Sequence, residues 1–113
     1  MVSKYTRFFS ILAVLGVLPF SVAGQTNGEQ LYLQNCLVCH ADDGSGAMPG
    51  VTDLAENQNW STIPVEMLIA RIKEGIALPG TTVTMPPNGG NPDLTDSDLK
   101  LIVNYMRAEF TQQ

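Results

Sequence analysis

A second histidine and a third cysteine are both missing from this chain of 113 residues. With only two Cys and one His, a structural zinc site of about four ligands is poorly served. A thioredoxin-like Cys pair wants a βαβ context, and no strand pattern supplies one. Basic residues are also scarce, six Lys and Arg against eleven Asp and Glu, a formal charge of −5. An acidic chain of this kind is soluble and is repelled by nucleic acid and anionic membranes. There are no internal repeats and no low-complexity tract. No apolar run reaches the ~20 residues of a spanning helix.

The longest apolar run lies near the start. Lys4 and Arg7 form a basic leader, and residues 8–22 are apolar apart from Ser10, Gly16, Pro19 and Ser21. Ser21-Val22-Ala23 then places small residues where a signal peptidase reads them. The pattern predicts a cleaved secretory signal peptide over residues 1–23 and a single domain over 24–113. An uncleaved anchor is the alternative. Losing Lys4 and Arg7 makes the exported domain more acidic still. Either charge steers it to a basic or neutral apolar partner, or acidity simply keeps it soluble.

The two cysteines and the histidine fall together in Cys36-Leu37-Val38-Cys39-His40. This C-x-x-C-H spacing is that of covalent haem c attachment. Each thiol adds across one porphyrin vinyl group, giving two thioethers, and His40 then ligates the iron from one face. On a helix, Cys36 and Cys39 lie about 60° apart and His40 sits one turn above Cys36. A structural disulfide fits this spacing poorly and leaves His40 without a role. A small domain buries only ~60% of its unfolded surface, and a haem would supply the missing core.

Three helices are legible downstream. The first covers 26–35, with Asn27 as cap and Glu29 at the positive end of the dipole. The second covers 64–74, with Pro64 in its first turn, Gly75 at its stop, and Val65, Leu68, Ile69 and Ile72 at helical spacing. The third opens on Thr95-Asp96-Ser97-Asp98, a capping-box variant, and carries Leu99, Ile102, Val103, Met106 and Phe110 as a stripe. Residues 41–50 are turn-rich, 51–62 weakly patterned, and 78–92 a Pro/Gly-rich loop. Trp60 has two readings: it lines the haem pocket with its N–H on a propionate, or it is plain core. Pro49 offers a rigid carbonyl for the second N–H of His40, which fixes the ring of a ligating imidazole.

With His40 on one face of the iron, the opposite face decides the chemistry. No second His exists. Met48 is only eight residues past His40, and Met67 and Met106 sit on helical stripes. Met85 lies mid-loop between Thr84 and Pro86, far enough along the chain to reach the other face. It is the expected sixth ligand. A thioether favours the ferrous state.

Together these pieces resemble the class I monohaem cytochromes c: Gly28-x-x-x-Tyr32, the C-x-x-C-H stretch, Pro49, Met85-Pro86 and the terminal Ile102-x-x-Tyr105. Within the class, Met85-Pro86-Pro87-Asn88-Gly89-Gly90-Asn91-Pro92-Asp93-Leu94-Thr95-Asp96 is similar to the bacterial c-five group. Two departures stand out: no second cysteine pair, and Met48 in place of the usual Gly before Pro49. The resemblance implies an all-α fold around one haem, with the terminal helices crossing so that Gly28 and Tyr32 meet Ile102 and Tyr105. It also implies that the Pro49 carbonyl accepts the His40 N–H.

The resulting expectation is a periplasmic one-electron carrier with one covalent haem c. Cys36 and Cys39 form the thioethers, His40 and Met85 ligate the iron, and Pro49 and Trp60 assist. No substrate is transformed, so the chain is not itself an enzyme. It meets redox donors and acceptors of respiratory or photosynthetic chains transiently at the haem edge, with no nucleic acid and no stable membrane insertion. The alternatives are a haem-bearing subunit of a periplasmic oxidoreductase, and a gas sensor or small peroxidase with an open iron.

Overall fold

A computed structural model describes residues 27–112; the leader falls outside them. The elements run α1 (Gly28–Asn35), α2 (Leu37–His40), a 3-10 turn (Gln58–Thr62), α3 (Val65–Glu74), β1 (Ile76–Ala77), β2 (Thr84–Met85), a second 3-10 turn (Pro87–Gly90) and α4 (Asp96–Phe110). The fold is all-α in class, with one two-residue antiparallel pair, Ile76 opposite Met85 and Ala77 opposite Thr84. A pair that short leaves no alternation for a sequence pattern to carry.

Each helix begins and ends for a local reason. Asn27 Oδ1 accepts the Gln30 N–H at 2.7 Å and starts α1. The Thr95 hydroxyl accepts the Asp98 N–H at 3.2 Å while the Asp98 carboxylate accepts the Thr95 N–H at 2.9 Å. This reciprocal box starts α4. Pro64 precedes α3 as its cap, and Gly75 ends it at φ 79°.

The core is built where α4 packs on α1 and α3. Tyr32, Leu99, Ile102, Val103 and Phe110 are almost wholly buried, with Leu31 and Leu68 close behind. The rings of Tyr32, Tyr105 and Phe110 meet with centroids 5.2 to 5.9 Å apart in tilted and edge-on contacts. Gly28 permits the crossing. A Cβ there would stand 2.8 Å from both the Leu101 carbonyl carbon and Tyr105 Cβ. The close approach is thus to the Leu101 backbone, one residue before the Ile102 expected from the sequence. Arg107 donates to the Ile63 carbonyl and ties α4 to the segment ahead of α3. No helix among the described residues is long and apolar enough to cross a membrane.

Candidate haem site

The site starts at the junction of two helices. Cys36 ends α1, its N–H bonding the Tyr32 carbonyl at 2.8 Å, and its φ of −116° turns the chain before α2. A single continuous helix is therefore replaced by a bend at Cys36. The short α2 still keeps Cys39 N–H and His40 N–H on the Cys36 carbonyl, at 3.3 and 3.0 Å. Leu37 and Val38 lie between the cysteines, and Val38 is 78% exposed. The thiols are not joined in a disulfide.

Cys36, Cys39 and His40 all line a cavity of about 400 Å³. A second lobe of about 140 Å³ shares Cys36, His40, Leu54, Trp60, Arg71, Ile76, Met85 and Gly89 with the first. The larger lobe alone is of the size that holds an organic ligand, ~300–1,000 Å³. Together the two lobes are walled by Leu54, Ile63, Leu68, Ile72, Ile76, Leu78, Val83 and Leu94, and among the described residues no acidic side chain lines either. A flat apolar group with thiol and imidazole partners along one rim suits these residues.

Burial first, and Cys39 second, push the Cys36 thiol up to about 11. Burial holds the His40 imidazole below its usual pKa and so favours the neutral, ligating form. Tyr32 is held well above the usual phenol value, first by burial and then by Cys36.

The methionines separate. Met48 and Met67 are exposed, 39% and 51%, and line neither lobe. Met85 lines both, and Met106 lines the smaller. Met85 is held by its ladder with Ile76 and by Gly75, where an added Cβ would stand 2.6 Å from the Met85 carbonyl oxygen.

The Trp60 N–H is already engaged, and the expected Pro49 contact is not made. The Trp60 ring lines both lobes, but its N–H donates to the Leu54 carbonyl at 2.8 Å, so no propionate is needed to satisfy it. His40 Nδ1 is buried without a hydrogen-bond partner, and Pro49 is exposed and lines neither lobe. The loop closes earlier than Pro49: Ala47 N–H bonds the Cys39 carbonyl at 2.9 Å and Gly46 N–H bonds the His40 carbonyl at 3.0 Å. Pro49 lies beyond that closure.

A family model described as "Cytochrome C oxidase, cbb3-type, subunit III" matches residues 23–106. Cytochrome c-555 of Prosthecochloris aestuarii is 34% identical, over 74% of this chain and 85% of its own length. The chain belongs to the class I c-type cytochromes. Cytochrome c6 of Gracilaria tenuistipitata var. liui is 32% identical over 70% of this chain and 67% of its own. The cytochrome c subunit of the quinone alcohol dehydrogenase of Gluconobacter oxydans is 36% identical over 74% of this chain, which matches only 18% of that subunit. As a member of this class the chain is an electron-transfer cytochrome carrying covalent haem c.

One residue of the site was not singled out from the sequence. Arg71 lines both lobes, and among the described residues no other Lys or Arg does. Its side chain stays exposed to solvent. The available signal was its spacing, three residues past the buried Leu68 and beside Ile72.

Proposed function

We propose that the protein is a periplasmic one-electron carrier. Its haem is fixed by thioethers from Cys36 and Cys39, and its iron is ligated by His40 and Met85. The observation that carries this reading is the placement of His40 and Met85 on the walls of one apolar cavity, with both thiols on its rim. When bound, the haem supplies the Fe(III)/Fe(II) couple. The chain's own residues do the rest. The apolar walls keep water from the cofactor and limit reorganisation on charge change. The neutral Met85 thioether favours the reduced state. Arg71 offers a positive partner to the carboxylates of the group on an otherwise uncharged wall. The leader over residues 1–23 supports export, and attachment then takes place outside the cytoplasm.

The test is the far-red charge-transfer band of the ferric protein, which marks His–Met ligation. It is expected in the wild type, lost in Met85→Ala, and retained in Met106→Ala and Met48→Ala. Loss in Met106→Ala with retention in Met85→Ala would transfer the sixth position to α4. A second reading, a haem-bearing subunit of a periplasmic oxidoreductase, is favoured by the likeness to the dehydrogenase subunit. Size-exclusion of the native protein at low concentration separates the two: a free carrier elutes alone, a subunit with its complex.

A further inference from the structure

The backbone immediately after His40 is strained. Ala41 has φ 63° and ψ 170°, a region that glycine occupies and residues with a Cβ avoid. A strained residue persists only where its surroundings hold it, and such residues gather at functional sites. Two contacts hold this one. Ala41 N–H bonds the Leu37 carbonyl at 2.9 Å. Its own carbonyl accepts the Tyr32 hydroxyl at 2.6 Å.

Tyr32 is 0% exposed, and its ring lies between α1 and α4 against Tyr105 and Phe110. Phe110 also closes over the turn itself. A Cβ on Gly44 would come 2.9 Å from its ring. The helix crossing thus reaches the turn after His40 through one hydroxyl. His40 Nδ1 is buried with no hydrogen-bond partner among the described residues, which leaves the main chain beside the ring as a means of orienting it.

We propose that Tyr32 is a positioning residue for His40. Its hydroxyl locks Ala41 in the strained conformation, and this sets the orientation of the His40 ring toward the iron. The inference rests on His40 being the iron ligand.

The experiment uses the ferric, haem-loaded protein and proton magnetic resonance. The hyperfine-shifted ring protons of the axial histidine report ligation, and the shift pattern of the haem methyls reports how the axial ligands are oriented. Tyr32→Phe keeps the ring and its packing and removes only the hydroxyl. It is expected to change the haem methyl pattern and to lower the folding equilibrium constant about tenfold, the scale of one lost buried hydrogen bond. Ala41→Gly placed in the Tyr32→Phe protein removes the need for the lock, because glycine takes this conformation without strain. The double variant should return the wild-type pattern. A pattern unmoved by Tyr32→Phe, or moved and not restored by Ala41→Gly, reduces Tyr32 to core packing and overturns the proposal. Absence of shifted His40 ring protons in the wild type would overturn the ligand assignment and this inference with it. Their presence, with no response to Tyr32→Phe, overturns this inference alone.

Discussion

Asn91 Nδ2 donates to Asn35 Oδ1 at 2.8 Å, joining residues 56 positions apart in the chain. Asn35 in turn donates to the Leu31 carbonyl, also at 2.8 Å, so its amide orientation is set by α1. One side of this contact is the residue before Cys36, and the other is the end of the loop that carries Met85. The contact fastens the two halves of the cavity rim to each other.

Asn91→Ala should therefore loosen the loop selectively. The lost bond is partly buried, and its removal costs about 1 kcal/mol. The expected sign is a far-red ferric band that disappears at lower urea than the helical circular dichroism does. If band and helicity are lost together at the wild-type midpoint, the contact does not restrain the ligand loop.

Gly75→Ala attacks the same loop from α3. The added methyl would meet the Met85 carbonyl oxygen at 2.6 Å and Pro87 N at 3.0 Å, on a backbone at φ 79°. Both neighbours are main chain and cannot swing away. Strain at this φ alone is worth about 1–3 kcal/mol, and the clash adds to it. A thermal midpoint lowered together with a weakened far-red band is the expected result. Unchanged midpoint and band would show that the loop has room to shift.

The features legible from the sequence were those encoded within a few residues. The Asn27 cap, the Thr95–Asp98 box and the Gly75 stop depend on bonds between positions one turn apart, so residue type and spacing are enough. The Cys36–His40 motif is of the same kind. What the sequence concealed depends on distant partners. The Trp60 N–H turns to the Leu54 carbonyl because the 3-10 turn folds back on that segment. The Pro49 carbonyl stays away from His40 because the loop closes at Gly46 and Ala47. Arg71 is exposed yet lines the cavity, because the loop that carries Met85 stands across from α3, and nothing local to α3 records that. The Tyr32 hydroxyl bond spans only nine residues, but it requires the positive φ of Ala41, which no alanine announces.

Asp98 gives a pH dependence with a definite sign. Hydrogen bonds from the Thr95 side chain and backbone hold its carboxyl below the usual carboxylate range. The ionised form is thus favoured in the folded chain. Its stabilising effect is fully present above the unfolded value of about 3.9 and is lost as pH falls through the lower folded value. Asp98→Asn should be less stable than wild type at pH 6, with the gap closing below about pH 4. Urea midpoints of both proteins from pH 3 to 7 measure this. A gap that stays constant across the range would assign the cap to the neutral side chain.

The last expectation concerns the chain without its cofactor. Seven apolar side chains are well buried: Leu31, Tyr32, Leu68, Leu99, Ile102, Val103 and Phe110. They lie on α1, α3 and α4. The walls between α3 and the Met85 loop face a cavity of about 400 Å³ and pack against nothing across it. Without the group, this apolar surface stays in water and its burial, worth roughly 25 cal/mol per Å², is not gained, against a small domain's stability of only ~5–15 kcal/mol. Cys36→Ala/Cys39→Ala, exported without covalent haem, should therefore lose most of its helical circular dichroism. Free haem added back should restore part of it. A double variant that keeps native helicity and melts cooperatively without haem would show that α1, α3 and α4 hold together unaided.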